Sequence, residues 1–547
     1  MKVVIVGGVA GGMSAATRLR RLDASAEITV LEKSGHVSYA NCGLPYYVGG
    51  IIEEEEALFL QTPESLHARF RLDVRVLTEA IRIDPAKKIL EVRDLATGMI
   101  FELPYDKLIL SPGASPVIPP ISGVEHAITL RTVEDVEKIV AHIHEHPRNA
   151  VVIGGGFIGL EVAENLVHRG IPTTVVEALP QVLVPLDPEM ATLVSDELVK
   201  HGVQVFLGNA VESITAKSVR LASGEELPSD LVILAIGVRP DITLAKRANL
   251  KIGERGGIEV KEFNLTSDPD IYAVGDAAEK EDSIDGSATL VPLANLANRH
   301  GRVVADHIAG RAVRPVTTIG TAIVKVFDLT IATTGWNEKR LIAQKRGYHA
   351  IHTHPASHAG YYPGAKPMSL KLLFDGSTGE ILGAQGIGTE GVDKRIDVIA
   401  TAMRGGLSAP ELADLELAYA PPFGSAKDPV NMLGYIAENR LSGLSRAVQW
   451  NELEDYRQQG YEILDVRTAR EFARGNIPYS VNIPIDELRE RIDEISWHDI
   501  VVNCQVGLRG HTAALLLNEL GFNALNLDGG YQTWSHSPAK TSTPVLF

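Results

Sequence analysis

Cysteine is nearly absent: 547 residues hold only Cys42 and Cys504. Two thiols so far apart cannot build a disulfide scaffold, so the chain reads as one for a reducing compartment, the cytoplasm. Neither cysteine has a partner at Cys-x-x-Cys spacing. Any redox cycle at Cys42 must therefore use an external sulfur or an oxygen. Positive charge is also in deficit, with a formal net charge of −17. That balance excludes nucleic acid and anionic membrane as the expected partners, while a local basic patch can still hold a small phosphorylated ligand. No apolar run is long enough to span a bilayer, and Met1 leads directly into a strand with no cleavage signature. What remains is ordinary globular composition, 45% hydrophobic and 22% charged, in a length that predicts several domains.

Cys42 lies in Ser38-Tyr39-Ala40-Asn41-Cys42-Gly43-Leu44-Pro45-Tyr46-Tyr47. Pro45 predicts a helix that begins just after the cysteine, because proline at a first helical position gives up no needed hydrogen bond. A thiol at such a helix start is expected to have a lowered pKa and to be a thiolate, the form that attacks sulfur.

Two glycine loops organise the first half of the chain. Val3 to Val6 is a β-branched run that enters Gly7-Gly8-Val9-Ala10-Gly11-Gly12, a helical pattern follows, and a second strand ends in Glu32 and Lys33. The second copy is closer to the dinucleotide fingerprint. Val151-Val152-Ile153 leads into Gly154-Gly155-Gly156-Phe157-Ile158-Gly159, and a further strand ends in Glu177. Glycines there permit close approach to a pyrophosphate, the helix start supplies positive potential, and a carboxylate about 20 residues on takes a ribose hydroxyl. Glu177 would repel a 2′-phosphate, which favours NADH over NADPH. Strand ends turn on glycine at Ser111-Pro112-Gly113 and at Ile236-Gly237, where the chain can cross between domains. Asp276 follows a third strand directly, after Gly275.

Together these motifs resemble the flavoprotein disulfide reductases with two dinucleotide folds, over about residues 1 to 445. The resemblance implies an α/β chain in which 1–115 with 245–320 bind FAD, 116–244 bind NAD(H), and 321–445 form an α+β dimerisation domain of a homodimer. It assigns Gly7, Ala10, Gly11, Gly12, Glu32, Lys33, Ser111, Gly113, Gly275 and Asp276 to the flavin side. Gly154, Gly156, Ile158, Gly159, Glu177 and Gly237 fall to the nicotinamide side. The lone cysteine in Asn41-Cys42-Gly43-Leu44-Pro45 looks like the coenzyme A-disulfide reductase branch. Sister branches that reduce oxygen or peroxide usually carry a histidine where Val9 stands, so an NADH oxidase is the lesser alternative. By the same resemblance Tyr361 and Tyr419 come from the partner subunit and steady or protonate a departing thiolate, with Tyr362 as the alternate. Arg18, Arg21, Ser38, Asn41 and Lys427 are the coenzyme A candidates. No metal is expected: His352, His354 and His358 have no thiolate beside them, and His142, His144 and His146 read as a helix end.

Asn439 to Ser445 reads as a polar linker to a last domain, 446–547. Ile500 to Asn503 is a strand that enters Cys504-Gln505-Val506-Gly507-Leu508-Arg509, and a helix follows. Successive backbone N–H groups in such a loop can cradle an anion and favour a thiolate or persulfide, with Arg509 closing the loop and adding charge. With Asp465, Arg467 and Glu471, this segment resembles a single-domain rhodanese, whose loop cysteine carries sulfane sulfur. The two resemblances together imply an NADH-dependent reductase of coenzyme A persulfide or polysulfide. Coenzyme A-disulfide reduction is the alternative, and a sulfur-delivery module is a more distant one.

Overall fold

The β-branched runs at the two glycine loops become the middle strands of two parallel sheets in the computed structural model, which describes residues 1–542. In the first sheet the strands run Ile271–Ala273, Lys107–Leu110, Lys2–Val6, Glu27–Leu31 and Asp73–Arg75, all parallel. Strand period 2 sends Val3 and Ile5 into one hydrophobic cluster and Val4 and Val6 into another, so the sheet is covered on both faces. The second sheet repeats the plan: Gln204–Phe206, Thr173–Val176, Ala150–Ile153, Leu231–Leu234 and Ile128–Thr129. Each sheet is accompanied by a three-stranded antiparallel meander, at 78–104 and at 211–228. The two crossing segments, Ala114–Pro116 and Val238–Pro240, pair antiparallel.

The chain divides into two compact units, one formed by 1–180 with 202–319 and the other by 181–201 with the residues from 320 onward. The first unit holds both parallel sheets just described. The second holds a five-stranded antiparallel sheet in the order Ala322–Val326, Leu329–Gly335, Ile381–Gly388, Met368–Phe374, His349–Thr353. Helices Val392–Gly405 and Pro429–Leu441 bury their apolar sides in the core of that sheet. A further parallel sheet follows, in the order Ala447–Val448, Asn523–Leu527, Asp499–Asn503, Glu462–Asp465, Val481–Asn482.

The expected linker is shorter than the sequence pattern suggests. Asn439 to Leu441 are the last residues of a helix, and Arg440 donates to the Ser445 carbonyl across the short connection that remains. The segment 181–201, which contains helix Pro188–Lys200, groups with the second unit. Lys371 reaches it with ion pairs to Asp187 and Glu189. Among the described residues, no helix is long and apolar enough to cross a membrane.

Candidate active sites

The two glycine loops share one construction. Gly7 and Gly154 have φ of +99° and +111°, in the left-handed region where side chains are strained. A Cβ on Gly12 would lie 2.0 Å from the Gly7 carbonyl oxygen, and a Cβ on Gly159 would lie 2.0 Å from that of Gly154. The loop and its helix thus approach too closely for any side chain. The acid at the end of the next strand is used alike in both: Glu32 accepts the Gly8 N–H at 2.9 Å, and Glu177 accepts the Gly155 N–H at 2.7 Å. Gly156 meets nothing within 4 Å of a Cβ, so the protein's own packing does not demand glycine there. The open space fits a pyrophosphate on the start of helix Phe157–His168. In the first loop Val9 takes the corresponding place, before helix Ala10–Leu22, and Gly11 lies against Ser111 and Val274. Lys33 is exposed beside the buried Glu32.

Asp276 follows strand Ile271–Ala273 through a short turn, and two cations fix that turn. Arg131 donates to Asp276 at 3.0 Å and to the Ala114 carbonyl at 3.1 Å, beside Gly113. Lys280 is buried and donates to the Gly275 and Ala278 carbonyls at 2.8 Å, and burial pulls its pKa down to about 8. Sequence reasoning missed both residues, because neither lies in a motif.

Cys42 sits in a single 3₁₀ turn, Asn41–Gly43, and helix Leu44–Val48 follows with Pro45 in its first turn. The helix start is where the sequence places it, but the thiol is not lowered. Burial pushes the Cys42 pKa up, Glu161 adds to the rise, and Arg131 opposes it. Cys42 is exposed, yet the protein mass around its sulfur still disfavours the thiolate. A five-residue helix offers too little dipole to outweigh that.

Glu161 is the principal residue that sequence reasoning missed. It stands half-buried on helix Phe157–His168, where Glu164 and Asn165 are buried, and desolvation raises its carboxyl to about 7. Tyr46 donates to it at 3.3 Å. The helix is brought to the Cys42 segment by Gly49, whose Cβ would lie 1.9 Å from Asn165 Oδ1. A polar stripe at i, i+3 and i+4 on an otherwise apolar helix was the available signal.

The coenzyme A candidates differ in how the protein engages them. Arg18 makes two hydrogen bonds to Asp306, at 2.9 and 2.7 Å, so its charge is matched within the protein. Arg21 is exposed; it donates to the Thr17 carbonyl and lies 6.0 Å from the Phe70 ring centroid. Ser38 has φ +48° and is tied to the first glycine loop by a 2.8 Å hydrogen bond from its N–H to the Gly8 carbonyl. Asn41 Oδ1 lies 3.8 Å from Cys42 Sγ. In the second unit, Tyr361 and Tyr419 meet hydroxyl to hydroxyl at 3.0 Å, with the Tyr361 side 77% exposed, and Lys427 is exposed. Tyr362 is turned toward His358 instead. The histidines of the sequence cluster are engaged separately. His352 bonds Glu189 and Asp528, His354 bonds Ser369 and Thr533, and His358 meets the Ala359 carbonyl.

Cys504 follows strand Asp499–Asn503 directly and is fully buried. The Gly507 N–H donates to its sulfur at 3.1 Å, from a left-handed φ of +94° that opens helix Leu508–Glu519. Arg509 does not add a free charge. It is bidentate to Glu471 at 2.9 and 2.6 Å, and that pairing, first among the causes, pulls Glu471 down to about 2. Arg467 is paired with Asp465 and lies 4.2 Å from the Tyr531 ring centroid. The loop is a backbone cradle flanked by two ion pairs.

Comparison with known proteins agrees with this construction. The family model described as pyridine nucleotide-disulphide oxidoreductase matches residues 1–301, its dimerisation domain matches 321–429, and the rhodanese-like domain matches 447–537. A coenzyme A disulfide reductase of Staphylococcus aureus is 37% identical over 441 residues, 80% of this chain and 100% of that protein. The solved structure of reduced Bacillus anthracis CoADR-RHD is 48% identical, with a TM-score of 0.96 over 98% of each chain. A NAD-dependent persulfide reductase from A. fulgidus is 40% identical, with a TM-score of 0.92 over 98% of this chain and 100% of that one. The chain therefore belongs to the pyridine nucleotide-disulphide oxidoreductase family and carries a C-terminal rhodanese-like domain.

Proposed function

We propose that this chain is an NADH-dependent, FAD-containing reductase of coenzyme A persulfide, with its rhodanese-like domain handling sulfane sulfur. FAD and NAD(H) are the cofactors of the family. The observation that carries the reading is the placement of both cysteines: the only two in the chain lie one in an exposed turn of the reductase part and one in the Gly507 cradle. The expected domain division, 1–115 with 245–320, 116–244, 321–445 and 446–547, is retained as part of the proposal, and so is the cytoplasm, where both thiols stay reduced.

In this reading Gly7 to Gly12, Glu32, Lys33, Ser111, Gly113, Gly275 and Asp276 hold FAD, and Gly154 to Gly159, Glu177 and Gly237 hold NADH. The flavin, when bound, supplies the two-electron relay between nicotinamide and disulfide. Arg131 and Lys280 keep the Asp276 turn in place for it. Arg21, Ser38, Asn41 and, more distantly, Arg18 and Lys427 receive coenzyme A. Cys42 thiolate attacks the inner sulfur of the coenzyme A persulfide. The S–S bond breaks, hydrosulfide leaves, and a Cys42–coenzyme A mixed disulfide forms. Two electrons from NADH then split that disulfide and restore Cys42 and the coenzyme A thiol. The sum is persulfide, NADH and a proton giving thiol, hydrogen sulfide and NAD⁺.

Glu161, whose carboxyl burial raises to about 7 and whose charge acts on the Cys42 sulfur, would take the thiol proton in this reading. Tyr361 and Tyr419, supplied by the partner subunit, protonate the departing coenzyme A thiolate. Coenzyme A-disulfide reduction uses the same cycle with a thiolate in place of hydrosulfide, and the Staphylococcus aureus relative favours it as the second reading.

Anaerobic NADH consumption with coenzyme A persulfide or coenzyme A disulfide, with sulfide counted, separates the two. We expect one sulfide per NADH with persulfide, no turnover in Cys42→Ser, and loss of sulfane sulfur loading alone in Cys504→Ser. Faster turnover of the disulfide with negligible sulfide would overturn the persulfide reading.

A further inference from the structure

Asp528 ends the last strand of the rhodanese-like domain, and the next two residues touch the Cys504 loop. Gly530 approaches so closely that a Cβ there would lie 2.3 Å from the Cys504 carbonyl oxygen. The N–H groups of Tyr531 and Gln532 donate to the carbonyls of Cys504 and Gln505 at 2.7 and 2.9 Å. Whatever fixes Asp528 therefore fixes the backbone that holds the loop.

The Asp528 backbone N–H donates to the Val448 carbonyl of its own domain at 2.9 Å, whereas its side chain is held from outside that domain. Its Oδ2 accepts from both the backbone N–H and Nδ1 of His352, at 2.8 and 2.7 Å, and its Oδ1 accepts from Arg440 at 2.9 Å. His352 lies on strand His349–Thr353 and Arg440 on helix Pro429–Leu441, both in the antiparallel-sheet part. The second nitrogen of His352 meets Glu189 at 2.9 Å, and Glu189 is paired in turn with Lys371. His352, Asp528 and Glu189 are each 3% exposed or less, and Lys371 is wholly buried.

The cluster balances. Asp187, Glu189 and Asp528 face Lys371, Arg440 and a His352 whose two ring nitrogens both point at carboxylates. Burial alone would lower the His352 pKa, but its bonds to Asp528 and Glu189 outweigh that and hold it at about 9. The other titratable neighbours are Glu338, which burial raises and which is 3.0 Å from Lys371, and His354, which burial keeps neutral and which bonds Thr533. A buried charge network of this kind serves geometry more than stability, because an apolar replacement would hold two surfaces together as well.

We propose that His352 is a positioning residue for the sulfur-carrying loop, acting through Asp528, Gly529 and Gly530 to hold the Cys504 cradle in its anion-binding shape. The inference rests on the reading of Cys504 as a sulfur carrier. It makes the interface domain part of the rhodanese-like site.

The test uses the full-length holoenzyme as wild type, His352→Gln, Asp528→Asn and Gln449→Ala. Gln449 donates to the Ala350 carbonyl at 3.0 Å on the same contact surface without touching Asp528. Two readouts are taken: hydrogen exchange at residues 504–509 and 530–532, and the lifetime of the Cys504 persulfide formed with inorganic polysulfide, followed by intact mass. Both the His352 and Asp528 variants are expected to exchange about tenfold faster there and to lose the persulfide several-fold sooner. NADH-dependent coenzyme A disulfide reduction should stay within about twofold, and Gln449→Ala should match wild type in every respect.

A pH profile supplies the signature that a merely structural contact would lack. A raised pKa means that the charged bridge is present at neutral pH and is lost as pH rises through about 9, so wild-type protection at these amides, taken relative to the base-catalysed rate of an unprotected amide at the same pH, should fall there while that of His352→Gln stays constant. Unchanged exchange in both charge variants, or an equal effect of Gln449→Ala, overturns the proposal. If His352→Gln does not fold, Asp528→Asn carries the same comparison. A wild-type Cys504 that takes no sulfur refutes the carrier reading, while the exchange data still decide the positioning.

Discussion

At the scale of single residues, Glu161 opposes the ionisation of Cys42. A carboxylate near the sulfur raises the cost of a thiolate, and burial raises the cost of either charge. Glu161→Gln keeps the size and the acceptor for Tyr46 while removing the charge. Below about pH 6 wild-type Glu161 is already protonated, so the two proteins should alkylate alike with iodoacetamide. Above about pH 7 the variant should react faster, with the midpoint of its rate profile lower by on the order of half a unit. Superimposable profiles would remove Glu161 from the Cys42 environment. Cys42 itself was legible from the sequence, as a lone cysteine before Gly-Leu-Pro. Its raised pKa was not, because burial, its main cause, and Glu161, 119 positions away in sequence, act on it only through the tertiary fold.

At the scale of elements, the repeated strand, loop, helix and strand were the most legible part of the chain. β-branched runs, glycine pairs and a terminal acid are local signals, and the structure adds why Gly7, Gly12, Gly154 and Gly159 are needed. Glu177 ties the Gly155 N–H at 2.7 Å and the Leu179 N–H at 2.9 Å, and in the proposed reading its carboxylate also faces the ribose of NADH. Glu177→Gln keeps acceptors for those N–H groups but drops the charge that repels a 2′-phosphate. The ratio of kcat/KM for NADPH to that for NADH should rise about tenfold, mainly through the NADPH value. An equal fall for both cofactors would mean that Glu177 matters only for the loop. One element differs from expectation for a physical reason. The polar Asn439 to Leu441 looked like a linker but ends a helix, because Leu433 and Ala437 of that helix pack against distant strands and leave no local mark.

At the scale of the whole molecule, the chain has the family's dimerisation domain, and the exposed tyrosines ask for a partner. Tyr361 is 77% exposed and Tyr419 47%, yet their hydroxyls meet at 3.0 Å, and that contact raises the Tyr419 pKa. Two phenols joined on an open surface make an economical proton donor only if a reacting thiolate comes to them. If they serve the Cys42 of the other subunit, defects in the two places should complement. A chain with Cys42→Ser and a chain with Tyr361→Phe and Tyr419→Phe are each expected to be inactive or severely slowed as homodimers. In a heterodimer one site inherits both lesions, and the other joins an intact Cys42 to intact tyrosines. Equal amounts dissociated and reassembled should therefore recover about one quarter of wild-type turnover per chain. Recovery no greater than the average of the two parents would place the tyrosines with their own subunit's cysteine, or outside the reaction altogether. Single Phe variants separate those two, because tyrosines that protonate a leaving thiolate lower kcat at high pH more than at low pH, and bystanders do not.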